Sequence, residues 1–198
     1  MVKSILFCAT LFLLVACHNM HQVPGTSPVF YSDGHAVSLL PTSSMTESID
    51  MPQRIEGNFV KPDGSTDSFE ADSWVRANDS VLSITLFTGF GTTLGEITYA
   101  RDSVKAESSV MDVAKIKTEY LIADFQICFY PFDALRKNFE QAGYAFTETR
   151  SGEGNTDYVR TLADNGKTLL TARKSGTEIH LENVLRGYSY HITLGEGN

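Results

Sequence analysis

Residues 119–139 read EYLIADFQICFYPFDALRKNF, the densest apolar stretch of the chain beyond its first seventeen residues. Leu121, Phe125, Cys128, Phe132, Leu135 and Phe139 recur at spacings of three and four, the period that puts side chains on one face of a helix. Pro131 interrupts them. A proline fits best in the first turn of a helix, so the stretch predicts two helices, about 115–130 and 131–143, the second stopped by Gly143. An apolar face of that length requires a partner surface, and the flanking sequence supplies one.

On both sides the period changes from helical to alternating. Segments 54–61 and 68–76 flank Pro62-Asp63-Gly64-Ser65, the signature of a hairpin. In the second, Phe69, Ala71, Ser73 and Val75 share one face, and Trp74 lies opposite among charged neighbours, at a rim. Segment 81–87 turns Leu82, Ile84 and Leu86 to one side, and 96–101 and 104–108 follow. Beyond the helices come 144–149, 158–163, 167–174, 178–185 and 188–194, broken at Ser151 to Asn155, Asp164-Asn165-Gly166, Ser175-Gly176 and Arg186-Gly187. In the last of these, Tyr188, Tyr190, Ile192 and Leu194 alternate with polar residues. About ten or eleven strands around one helical unit predict a mainly β, α+β domain: an antiparallel sheet curved around a helical plug.

The N-terminus is of another kind. Met1 to Lys3 carries one positive charge, residues 5–15 are almost unbroken apolar, and the run closes in Leu14-Val15-Ala16-Cys17. A charged start, a short apolar core and small residues describe a secretory signal peptide, too short to span a bilayer. Its last four residues resemble the lipobox of bacterial lipoproteins, with Cys17 as the lipid-bearing first residue of the mature chain. His18 follows, and the lipoprotein sorting rule, under which an aspartate there favours inner-membrane retention, then points to the outer membrane. The expected organisation is signal peptide 1–16, lipidated N-terminus and flexible tether 17–50, and folded domain 51–198.

Removing residues 1–16 takes away Lys3 and no acid, moving the formal charge from −8 to about −9. That balance argues against nucleic acid as a partner. Cleavage also removes Cys8, leaving Cys17 and Cys128, so no disulfide is expected within the domain, and Cys128 reads as a small buried hydrophobe. The tether's His18, His21 and His35 lack the fixed geometry of a metal site, and no cofactor is expected.

The loop from Thr88 to Gly95, TGFGTTLG, is rich in glycine, but strands flank it and no lysine follows, so it is not a phosphate loop. It carries two large apolar residues, Phe90 and Leu94. Exposed at a tip, they fit contact with a membrane or an apolar ligand. Catalysis finds little support. There is no Gly-x-Ser-x-Gly elbow and no HExxH, and His180 and His191 lie on strands without a predicted nucleophile. Asp133 reads as solvated or capping. Asp124, set between Ala123 and Phe125 in an apolar helix, needs a donor such as Arg186 or Tyr188 if it faces inward.

The lipobox, the pair Leu94-Gly95, the run Leu121-Ile122-Ala123-Asp124-Phe125-Gln126, then Tyr130-Pro131-Phe132 and a terminal Asn183-x-x-Arg186-Gly187-Tyr188, together resemble a family of bacterial lipoproteins associated with aryl polyene gene clusters, over roughly residues 50–194. More distantly the pattern is similar to LolB, the outer-membrane lipoprotein receptor. The resemblance implies a LolA/LolB-like incomplete antiparallel β-barrel whose open side is covered by helices, with an apolar cavity for acyl chains. It implies a cavity lined by Leu82, Ile84, Leu86, Leu121, Phe125, Phe129, Phe132, Tyr188 and Tyr190, and a membrane-insertion loop bearing Phe90 and Leu94. The implied partners are a lipid or lipidated cargo, the outer membrane, and a soluble LolA-like periplasmic carrier. The alternative is a non-catalytic scaffold lipoprotein with a filled core that holds a protein partner.

Overall fold

The computed structural model describes residues 27–32, 35–101, 103–108 and 117–197. The signal peptide, Cys17, His18 and His21 lie outside the described residues.

Ten strands form one antiparallel sheet: β3 (Ile49–Val60), β4 (Thr66–Ala77), β5 (Val81–Phe87), β6 (Thr93–Ala100), β7 (Ser103–Glu107), β8 (Ala145–Ser151), β9 (Asp157–Asp164), β10 (Lys167–Ser175), β11 (Glu178–Asn183) and β12 (Tyr188–Leu194). Their spatial order is β7-β6-β5-β4-β3-β12-β11-β10-β9-β8. The two halves of the chain join at β3 and β12, where Phe59 pairs with Tyr188 and Gln53 with Leu194. The edges β7 and β8 do not pair with each other, so the barrel is open. All ten expected strands are present, in the meander their turns predicted.

The chain leaves the sheet at edge β7 and re-enters at edge β8, and between them lie α1 (Thr118–Phe129) and α2 (Phe132–Gln141). α1 touches β7 and also β10 and β11, and α2 touches β8. One helix can reach both an edge and strands deep in the other half only if the sheet curls around it. Side chains from successive strands make the concave layer: Val75, Ile84 and Ile97 pair across β4, β5 and β6, and all are buried. On the other half Leu162 pairs with Leu170 across β9 and β10, and Ile179 with Ile192 across β11 and β12, with Leu181 two residues along β11; Leu162, Leu170, Ile179 and Leu181 are each 0–1 % exposed. Burying each such side chain is worth about 2 kcal/mol.

The break between the helices follows from Pro131. A proline disfavours helical backbone in the residue before it, and Tyr130 is extended (φ −78°, ψ 157°). Pro131 itself stands just outside α2, also extended. The last carbonyls of α1 are answered by β9: Tyr158 donates its hydroxyl to Cys128 O and Arg160 its Nη1 to Ile127 O, each at 2.6 Å. Arg160 is buried and paired with Glu148 at 2.7 Å, so its charge is balanced there.

The structure departs from expectation in residues 29–49, assigned above to the tether. β1 (Val29–Ser32) and β2 (His35–Val37) form a hairpin that packs on the helices, with Val29, Tyr31, Val37 and Leu39 buried. Gln126 clamps Leu40, accepting from its N–H at 3.0 Å and donating to its carbonyl at 2.7 Å. Asn138 donates to Ser38 O, and Tyr144 to His35 O. The reason lies in α1. Every residue from Ile122 to Cys128 is buried, so the helix is covered on the side away from the sheet as well as on the side facing it. His35 serves this strap, its Nδ1 2.7 Å from Ala142 O.

Candidate ligand cavity

Between α1 and the concave face of the sheet lies a cavity of about 120 Å³. Six of the nine expected lining residues bound it: Ile84 and Leu86 from β5, Leu121, Phe125 and Phe129 from α1, and Tyr190 from β12. Phe125 and Phe129 stack at 4.6 Å between ring centres, one helical turn apart.

The other three do not line it. Leu82 is fully buried in the layer beside Ala77 and Tyr99, where no space remains. Phe132 opens α2 and stacks on Phe146 of β8 at 5.7 Å, on the far side of the helix break. Tyr188 is turned to a polar task, described below.

Further wall residues come from β3 and β4, and alternation would have found them: Gln53 and Ile55 share a face opposite Arg54 and Glu56. Gly57, next on that face, has no side chain, and Phe69 of the neighbouring strand lies across it. A Cβ at Gly57 would sit 2.1 Å from Phe69 Cε1, so only glycine permits this placement. Phe69, 44 % exposed, then meets Tyr190 edge-on at 6.2 Å and completes one wall. Cys128 contributes a buried thiol that burial pushes up to about 12, consistent with an inert side chain.

Asp124 is the charged group on the wall. Tyr188 donates its hydroxyl to Asp124 Oδ2 at 2.8 Å and accepts from Asn183 at 3.1 Å. Burial raises the Asp124 carboxyl to about 7, against the opposing pull of the Tyr188 bond and of the Arg186 charge. Arg186 does not touch the carboxylate. Its Nη2 donates to Tyr120 Oη and Phe30 O, both at 2.6 Å, and its guanidinium lies 4.0 Å from the Tyr120 ring centre. Of the two donors expected for Asp124, Tyr188 bonds directly and Arg186 acts through its field while tying down the strap.

The Thr88–Thr92 turn is closed by Thr88, whose hydroxyl accepts from the backbone N–H of Phe90 and Thr92. Phe90 stands at its tip, 99 % exposed. Leu94 is not beside it. It lies inside β6, half-buried, its carbonyl taken by the Ser108 hydroxyl, because pairing with β5 resumes at Thr93. The β11–β12 turn stands next to the β3–β4 turn, Val60 N–H donating to Gly187 O at 2.8 Å. The Thr88 turn points to the same end, since β5 runs antiparallel to β4. Val60, Val184 and Leu185, each about half exposed, lie at the adjoining β3–β4 and β11–β12 turns, and the turn bearing Phe90 leaves the sheet in the same direction.

His180 and His191 stack at 4.2 Å on the outer face, with His191 Nε2 at 2.5 Å from Glu178 Oε2, and neither bounds the cavity. Trp74, expected at a rim, is half-buried on the same outer face, donating to Asp50 at 2.5 Å. Asp133 pairs with Arg136 at the surface.

Residues 53–196 match the family model described as a protein of unknown function, DUF3261. The chain belongs to the DUF3261 family. No curated protein matches it. Among solved structures, this DUF3261 chain is similar to a LolA superfamily protein from Nitrosomonas europaea, at 11% identity and TM-score 0.33, over 79% of this chain and 88% of that one. A domain described as outer-membrane lipoprotein sorting, from Vibrio parahaemolyticus, gives 8% identity and TM-score 0.30 over 79% and 87%. A DUF1329 family protein from Desulfovibrio piger gives 9% identity and TM-score 0.28 over 78% and 87%. At such scores these likenesses concern the course of the chain, and no function is carried over from them. Among the described residues no helix is long and apolar enough to cross a membrane.

Proposed function

We propose that this DUF3261 protein is a non-catalytic lipoprotein, anchored through Cys17 at the periplasmic face of the outer membrane, that takes the acyl chain of a lipid or lipidated cargo into the cavity and assists its transfer to the membrane. The observation that carries this reading is the cavity itself, walled by Ile84, Leu86, Phe125, Phe129 and Tyr190 between an open sheet and its helix. Each methylene buried there is worth about 0.8 kcal/mol, enough for a few to hold a chain against its return to water. Because β7 and β8 do not pair with each other, α1 can shift to admit a chain without breaking a strand pair. An aryl polyene lipid belongs among the candidate cargoes on the sequence resemblance, as does a handover from a soluble LolA-like carrier.

The test uses the chain secreted with Cys17→Ser and examined by native mass spectrometry. We expect a stoichiometric lipid that solvent extraction releases. Ile84→Trp, which fills the cavity from the sheet side, is expected to lower its occupancy at least tenfold. A clean apo mass, even after incubation with total envelope lipids, overturns the proposal. The exposed Val60, Val184 and Leu185 then favour the scaffold that holds a protein partner.

A further inference from the structure

The cavity wall is apolar except at Asp124, Gln53, the Tyr190 hydroxyl and the Cys128 thiol, and the first two each leave a buried polar atom without a hydrogen-bond partner, Asp124 Oδ1 and Gln53 Nε2. Both residues are 5 % exposed. Buried polar atoms are paired in almost all folded proteins, because leaving one unpaired forfeits its hydration with nothing in return. The other unpaired buried atoms among the described residues, on Tyr31, Tyr130 and Arg186, belong to side chains off this wall. Tyr188 shows that the carboxylate is held in place, since it fixes Oδ2 and leaves Oδ1 free.

We infer that the cavity takes an amphiphile whose buried end carries a hydroxyl group, which donates its hydrogen bond to Asp124 Oδ1. The inference rests on reading the cavity as a lipid site and specifies the class of lipid. A plain methyl terminus leaves Oδ1 unpaired and lays hydrocarbon against a carboxylate. A carboxylate or phosphate terminus meets like charge. An ammonium brings three donors and a second positive charge near the Arg186 guanidinium, whose field already acts on Asp124. A hydroxyl brings one donor and no charge. Gln53 Nε2, a donor, suits an oxygen acceptor elsewhere on the same ligand, such as an ester carbonyl.

The test compares three probes on the Cys17→Ser chain at pH 8, by displacement of a fluorescent fatty acid: ω-hydroxydodecanoate, its isostere with a terminal methoxy group, and dodecanoate. The methoxy acid has the same number of heavy atoms and accepts hydrogen bonds without donating one. We expect the hydroxy acid to bind about tenfold more tightly than the other two. In Asp124→Asn the amide keeps an oxygen for Tyr188 and turns a donor to the cavity, so the hydroxy acid loses its advantage over the methoxy acid. The pair Asp124→Leu with Tyr188→Phe, which removes both ends of the internal bond together, is expected to bind all three within about twofold. Equal affinities in the parent chain overturn the hydroxyl inference and leave the lipid-site reading standing. No binding of any probe overturns both. A hydroxyl preference that survives in Asp124→Asn and in the double variant shows that Asp124 is not the acceptor, and the inference fails.

Discussion

Asp124 shows how one residue sets a pH response. Its carboxyl titrates near 4 in the unfolded chain and, through burial, at about 7 in the fold. Between those values the folded state holds the extra proton, so stability is greatest near pH 4 and falls as pH rises to about 7. The titratable groups facing it, Tyr188, Tyr31, Tyr190 and Cys128, are all pushed upward by burial and so stay out of that window, and the Arg186 charge acts on it from nearby. Asp124→Asn keeps the acceptor for Tyr188 and removes the titration. Urea unfolding at pH 4.5 and 7.5 is therefore expected to favour the variant increasingly with pH, at ~1.4 kcal/mol per unit of pKa difference and by a few kcal/mol at most. Glu178, which His191 holds below the usual carboxylate range, contributes in the opposite direction but equally in both proteins. A stability difference that does not change with pH would count against a raised Asp124.

At the scale of the element, α1 is held by polar contacts at positions that an apolar pattern hides. Gln126 grips both backbone groups of Leu40 and so ties the β1–β2 hairpin across the outer side of the helix. Gln126→Leu leaves the part-buried Leu40 N–H unpaired and its carbonyl held by the Tyr99 hydroxyl alone, a loss of about 1–3 kcal/mol. Because the strap is small, it is expected to open before the rest unfolds, with faster amide exchange at Leu40 than in β10 or β11. Unchanged protection there would mean that Asn138 and Tyr144 hold the strap without it. The same clamp explains why a domain assigned to start at residue 51 begins near Val29. A hairpin of two short strands has too few alternating positions to be read from sequence, and what orders it lies nearly ninety residues further along the chain.

At the scale of the whole molecule, the β3–β4 and β11–β12 turns lie side by side, and the Thr88 turn leaves the sheet in the same direction with Phe90 almost fully exposed at its tip. If the cavity hands its cargo to a membrane, this end is placed to touch it. Phe90→Asp is expected to reduce binding of the anchorless chain to phospholipid vesicles at least severalfold in flotation, while leaving its melting temperature within about 1 °C, since Phe90 buries nothing. Equal flotation would assign contact to Val60, Val184 and Leu185 instead.

The alternation of apolar residues and the turn chemistry determined, by themselves, all ten strands of the sheet, because both signals are local and repeat every few residues. The spacing of Leu121, Phe125 and Cys128 likewise determined a helix with an inward face, and Pro131 its break. Six of the nine residues named from the family resemblance as lining bound the cavity. Tertiary structure decided which inward positions are packed solid and which bound a space. Leu82 and Ile84 are equivalent in the sequence, yet one is sealed beside Ala77 and Tyr99 and the other faces the cavity. It also decided that Leu94 stays in its strand, that Gly57 makes room for Phe69, and that Asp124 meets Tyr188 with one oxygen left over. Each of these depends on residues brought together from distant parts of the chain, and local pattern carries no record of such distances.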